Sequence, residues 1–114
     1  MQILVELGGY FGYSAIRFAS LARKYNSGAH YFSVEYNPIF ACVIESMAQF
    51  SGLGDAITVL RGDLASTLPQ LTAQMKRFQS EQIGFLLLDH DKEAYVSDLE
   101  LAYKEGILKK VNRD

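Results

Sequence analysis

One cysteine, two prolines and no tryptophan occur among the 114 residues. The lone Cys42 has no partner for an internal disulfide. That excludes a disulfide-stapled secreted domain and fits a reducing, cytoplasmic compartment. Zinc sites built from several cysteines are excluded with it. Neither sign of charge dominates: 11 Lys and Arg against 13 Asp and Glu give a formal net charge of −2. So small a charge sets up no field to gather nucleic acid or an anionic membrane. Long apolar runs are missing too, since Phe85-Leu86-Leu87-Leu88 falls far short of the roughly 18–20 residues of a spanning helix. The first residues lack the basic start of a signal peptide, and Glu6 interrupts their apolar stretch.

What is present suits a single packed domain. Hydrophobic residues make up 49% of the chain and charged residues 21%, a balance that favours collapse around one core over disorder. No repeat, low-complexity tract or linker divides it. A strand-like run, a turn and a helix-period segment instead recur four times. Ile3–Leu7 reads as a buried parallel strand ending at Gly8-Gly9. A helix follows from Ser14, with Phe18, Leu21, Ala22 and Tyr25 on its inner face, and stops at Asn26-Ser27-Gly28. Tyr31–Glu35 is the second strand. Asn37-Pro38 then supplies an N-cap and a first-position proline to a helix whose apolar stripe is Ile39, Cys42, Val43, Met47 and Phe50. On that stripe Cys42 is a packing residue. Ile57–Leu60 forms the third strand, and a helix from Ser66 to Phe78 takes Pro69 in its first turn and faces inward through Leu68, Leu71, Met75 and Phe78. Ile83–Leu88 is the fourth strand, before a helix with Tyr95, Leu99, Ala102 and Tyr103 inward and Gly106 at its close.

Alternation of this kind implies βαβ units: an α/β fold with a Rossmann-like, doubly wound parallel sheet of about four strands and flanking helices. Ligands of such sheets sit beyond the carboxyl ends of the strands. Here those ends fall after Leu7, at Glu35, at Gly62-Asp63 and at Asp89, and each carries glycine or polar chemistry. The turn Glu6-Leu7-Gly8-Gly9-Tyr10-Phe11-Gly12-Tyr13-Ser14 lets the backbone approach a ligand and offers helix N–H groups to a carboxylate or phosphate. Such a turn can also do no more than cap a strand. Glu35 is placed to accept from both hydroxyls of a ribose, the alternative being a solvated strand-end carboxylate. The glycine spacing lacks the dinucleotide pattern G-x-G-x-x-G, so S-adenosylmethionine suits the pair better than NAD.

The run from Leu4 to Ser14 resembles the first motif of the catechol O-methyltransferase family. Similarity continues through Val34-Glu35-Tyr36-Asn37-Pro38, Leu68-Pro69-Gln70-Leu71 and Leu88-Asp89-His90-Asp91-Lys92. This resemblance implies a class I methyltransferase fold that uses S-adenosylmethionine and magnesium to methylate a hydroxyl of a catechol or related phenol. It carries cofactor contacts over to Glu6, Gly8, Gly9, Tyr10, Gly12, Ser14, Glu35, Tyr36, Asp89 and His90. Asp89 is also implied as a metal ligand and Lys92 as the catalytic base. A neutral Lys92 at pH 7 needs its pKa lowered by about three units, through burial or a nearby cation. Asp63 can accept from the adenine amino group or serve as a helix N-cap. Leu64 and Ala65 stand where the family has polar residues at the adenine, and Asp91 stands where it has tryptophan.

Residues 1–110 are thus expected to form a partial S-adenosylmethionine-binding domain, truncated at both ends, with 111–114 a divergent tail. The family's helices before the first strand, and its later strands with the remaining metal ligands, are not in this sequence. Two outcomes remain open: an O-methyltransferase by descent, or a non-catalytic cofactor-binding or interaction module. The fourth strand is expected to present an edge for self-association.

Overall fold

The computed structural model describes residues 2–78, 83–88 and 94–108. Four strands and four helices alternate along them: β1 (Ile3–Leu7), α1 (Tyr13–Tyr25), β2 (His30–Glu35), α2 (Pro38–Phe50), β3 (Ile57–Arg61), α3 (Leu64–Arg77), β4 (Phe85–Leu88) and α4 (Tyr95–Lys104). All strand pairs are parallel, in the order β3-β2-β1-β4. The expected doubly wound α/β sheet is therefore present. Every residue of β1 and β2 is buried, as the near-continuous apolar runs of central parallel strands require. Leu108 makes an isolated parallel bridge with Ile83, just ahead of β4.

The side-chain alternation of the strands divides the core into two layers. Ile3, Val5 and Leu7 of β1 join Phe32, Val34 and Leu60 against Leu64, Leu71 and Met75 of α3 and Ala102 of α4. On the other face, Leu4, Tyr31 and Ile57 meet Ala15 and Ala19 of α1 and Ile44 and Ala48 of α2. Among the described residues, no helix is long and apolar enough to cross a membrane.

The structure corrects several helix faces. Leu21 and Tyr25 of α1 are exposed, and Ala15 and Ala19 are buried in their place. In α2 the buried stripe is Ala41, Ile44 and Ala48, while Ile39, Met47 and Phe50 project outward. Leu99 and Tyr103 of α4 are likewise exposed, and Ala102 packs inward. Alanines thus take much of the inner helix faces, beside Ile44 in α2. Cys42 is accordingly exposed rather than packed, with the Arg61 guanidinium donating to its Sγ at 3.3 Å. α3 starts at Leu64 rather than Ser66, because Asp63 caps it, and this puts Pro69 beyond the first turn.

Candidate cofactor cleft

A cleft of about 410 Å³ opens beyond the carboxyl ends of β1, β2 and β3, within the size range of small-molecule sites. Leu7, Gly8 and Tyr10 line it from the first turn, Val34, Glu35 and Tyr36 from the end of β2, and Gly62, Asp63 and Leu64 from the end of β3. Ala94, Ser97 and Asp98 close it from the start of α4.

Glu35 is buried at this mouth and held by the backbone. Its Oε1 accepts from the Tyr10 N–H at 2.9 Å and its Oε2 from the Asn37 N–H at 2.8 Å. A carboxylate has about four lone-pair sites, so each oxygen keeps one for a ligand. The two amides fix the carboxylate's orientation beforehand. Tyr10 reaches Glu35 by adopting φ 52°, a left-handed conformation uncommon outside glycine. Gly8 adds a 2.8 Å bond from its N–H to the Val34 carbonyl, tying the turn to β2.

Those bonds also set which ligand the turn can serve. The N–H groups of Gly8, Tyr10 and Gly12 are given to Val34, Glu35 and Gly9 respectively, so none of the three is left for a phosphate. The first turn of α1 receives no side-chain cap, because its N-cap is Gly12 at φ 85°. A carboxylate can satisfy those helix N–H groups. Ser14 belongs to that turn, half-buried and outside the cleft lining.

Glu6 and Gly9 lie behind the cleft instead of lining it. Glu6 is fully buried, its carboxylate accepting from the Tyr31 hydroxyl at 2.8 Å and the Ser33 hydroxyl at 2.7 Å. Burial, with the Glu6 charge beside it, pushes the Tyr31 phenol far above its usual range. A Cβ on Gly9 would meet Ser33 Oγ and Ile44 Cδ1 and come within 2.9 Å of Glu6 Oε1. The absent side chain therefore seats the turn on this buried network.

Asp63 lines the cleft and also caps α3, its Oδ1 accepting from the Ser66 N–H at 2.8 Å. That amide holds the Asp63 carboxyl below the usual carboxylate range. Tyr36 is exposed at the rim. Asp89, His90 and Lys92 lie outside the described residues. Among the described residues no group of three His, Cys, Asp or Glu side chains could hold a metal, and a magnesium ligand set is not assembled there. Ser97 and Asp98 were missed by the sequence reading. The strand-end rule directs attention to the loop after β4 but not to the helix turn beyond it.

Comparison with known proteins gives a consistent picture. A family model described as a methyltransferase domain matches residues 5–106. The chain is 36% identical over 108 residues to the catechol O-methyltransferase of Bos taurus, an alignment covering 95% of this chain and 38% of the bovine protein. It thus spans well under half the length of that relative. The fold is similar to that of the SAH-bound methyltransferase PaMTH1 of Podospora anserina, with TM-score 0.79 and 22% identity over 95% of this chain and 42% of that one. It is similar also to an O-methyltransferase from Bacillus cereus in complex with SAH, with TM-score 0.73 and 25% identity over 95% of this chain and 45% of that one.

Proposed function

The chain belongs to the methyltransferase domain family, and from that premise we propose that it forms the cofactor-binding part of an S-adenosylmethionine-dependent O-methyltransferase acting on a catechol or related phenol. The observation that carries this is Glu35, oriented by the Tyr10 and Asn37 amides at the cleft mouth with acceptor sites to spare. A ribose diol supplies two hydroxyl donors to match them. The amino-acid end of the cofactor lies toward the first turn of α1, where its carboxylate meets uncapped N–H groups. Leu7, Val34 and Leu64 supply apolar surface to the adenosyl part. The bound cofactor contributes an electrophilic methyl group on sulfur, and the chain's task is to fix its position relative to the acceptor oxygen.

Lys92 is assigned as the base for the acceptor hydroxyl, and Asp89 as the contact of the cofactor amine and of magnesium. Both assignments rest on the family resemblance. The catechol acceptor rests on the bovine relative. Pairing of a second copy along β4, one of the two outer strands in the order β3-β2-β1-β4, belongs to the same proposal.

Calorimetric titration of the 114-residue chain tests the cofactor assignment. S-adenosylhomocysteine is expected to bind and NAD not to, because among the described residues lining the cleft there is no Lys, Arg or His for a diphosphate. Binding of NAD in preference to the thioether would overturn it. Methylation of a catechol by the same chain then separates the enzyme from a module that binds the cofactor without turnover.

A further inference from the structure

Two carboxylates besides Glu35 line the cleft, and one of them has no role so far. Asp63 comes from the start of α3 and Asp98 from the first turn of α4. We infer that Asp98 reads the purine base of the bound nucleoside and gives the cleft its preference for an adenosyl group. The inference rests on the cofactor reading above and extends it to a residue on a different helix.

The placement follows from the two ends of the cofactor as proposed above. With the diol on Glu35 and the amino-acid end toward the turn, the lining left for the base is that contributed by the starts of α3 and α4. The groups there are apolar (Leu64, Ala94) or acceptors (Asp63, Asp98), with the Ser97 hydroxyl beside them. An ionised carboxylate accepts hydrogen bonds and donates none. The six-position amino group of adenine offers two donors to such a wall. Hypoxanthine carries a carbonyl oxygen at that position, and its lone pairs would oppose the carboxylates. Specificity then comes as much from rejecting the carbonyl as from holding the amine. The two N–H bonds of the amino group diverge, so a second acceptor beside Asp63, whose Oδ1 caps α3, serves the second donor. Asp98 is half-buried and also interacts within the chain. Its roughly four lone-pair positions accommodate both demands.

A bland role for Asp98 is available: an acidic residue in a helix's first turn complements the helix dipole. The experiment separates the two roles. S-adenosylhomocysteine and S-inosylhomocysteine are titrated into the wild-type chain and into D98N, with thermal melting of both proteins alongside. The wild type is expected to favour the adenosyl compound by about tenfold or more, the scale of one charge-assisted hydrogen bond. In D98N the preference should shrink by a similar factor, because the amide can turn its NH2 toward a carbonyl. Equal affinity of the wild type for the two compounds overturns the inference without reference to any variant. So does D98N that melts lower and weakens both ligands alike, leaving their ratio unchanged. Failure of the wild type to bind either compound overturns the cofactor reading itself and this inference with it.

Discussion

Gly9 is not itself part of the cleft lining, yet it determines where the lining sits. Its missing side chain leaves room for Ser33, Ile44 and the buried Glu6 carboxylate. Gly9→Ala forces those groups apart, and overpacking of this kind typically costs about 1–3 kcal/mol. A urea melt of the variant should show that loss, and an unchanged midpoint would mean the turn has slack. Glu35→Gln acts more directly. Glutamine offers one carbonyl oxygen, so one of the two backbone N–H groups now faces an NH2 and one ligand acceptor disappears. Affinity for S-adenosylhomocysteine should drop by about 1–3 kcal/mol in calorimetry. His30 stands at the opposite end of β2, stacked on Phe78 and bonded through Nε2 to the Thr58 hydroxyl at 2.7 Å. Its buried Nδ1 has no partner among the described residues. Burial, reinforced by the Arg23 charge and opposed by Asp55, lowers its pKa from 6.5 to about 4. The unfolded chain therefore binds a proton near pH 6.5 that the folded chain refuses until about pH 4. Stability contributed by neutral His30 is full above pH 6.5 and is lost as the pH falls through that window. The melting temperature of His30→Leu should decline less than that of the wild type between pH 7 and pH 4.5. Parallel declines would remove His30 as the cause.

Helix ends were more legible in the sequence than helix faces, and the reason is local chemistry. Asn37 accepts from the Ile39 and Phe40 amides ahead of Pro38, as the dipeptide implies before any tertiary contact is considered. Asp63 likewise caps its helix, the N-cap alternative of its two sequence readings, and it also lines the cleft. Asp63→Ala should cost about 1 kcal/mol of stability through the lost cap. Asp63→Asn keeps a capping oxygen, so it should melt like the wild type while weakening the adenosyl ligand. Equal destabilisation by both variants would show that the charge, not the cap, stabilises α3. Faces were harder to read, because the spacing argument weights bulky apolar residues such as Ile39 and Phe50. The buried faces of α1 and α2 rest largely on Ala15, Ala19, Ala41 and Ala48, beside Ile44, and alanine carries little hydropathic signal. Only the tertiary distance between helix and sheet selects them. The same holds for Ser97 and Asp98, since nothing within α4 says that its first turn overhangs a neighbour's strand end. The strands, bounded by glycine or Asn-Pro, gave both the sheet and the Glu35 position in advance.

At the scale of the molecule, the cleft is assembled by the sheet's ordering and not by any contiguous segment. β1 and β2 contribute the turn and Glu35, β3 contributes Asp63, and α4 arrives by a later crossover. β1 has a ladder on each side, to β2 through Ile3↔His30 and to β4 through Leu4↔Phe85. Its amides, like those of β2 between β1 and β3, should therefore exchange deuterium more slowly than those of the outer strands β3 and β4. Protection no greater in β1 than in the outer strands would contradict this order. One partner of β1 comes early in the sequence and the other very late. On a ribosome, β1 must wait half-clad until β2, β3 and finally β4 have emerged. The nascent chain is then a natural client for whatever shields sticky segments during translation, and changes in β4 should trouble the birth of the protein before they trouble its finished form.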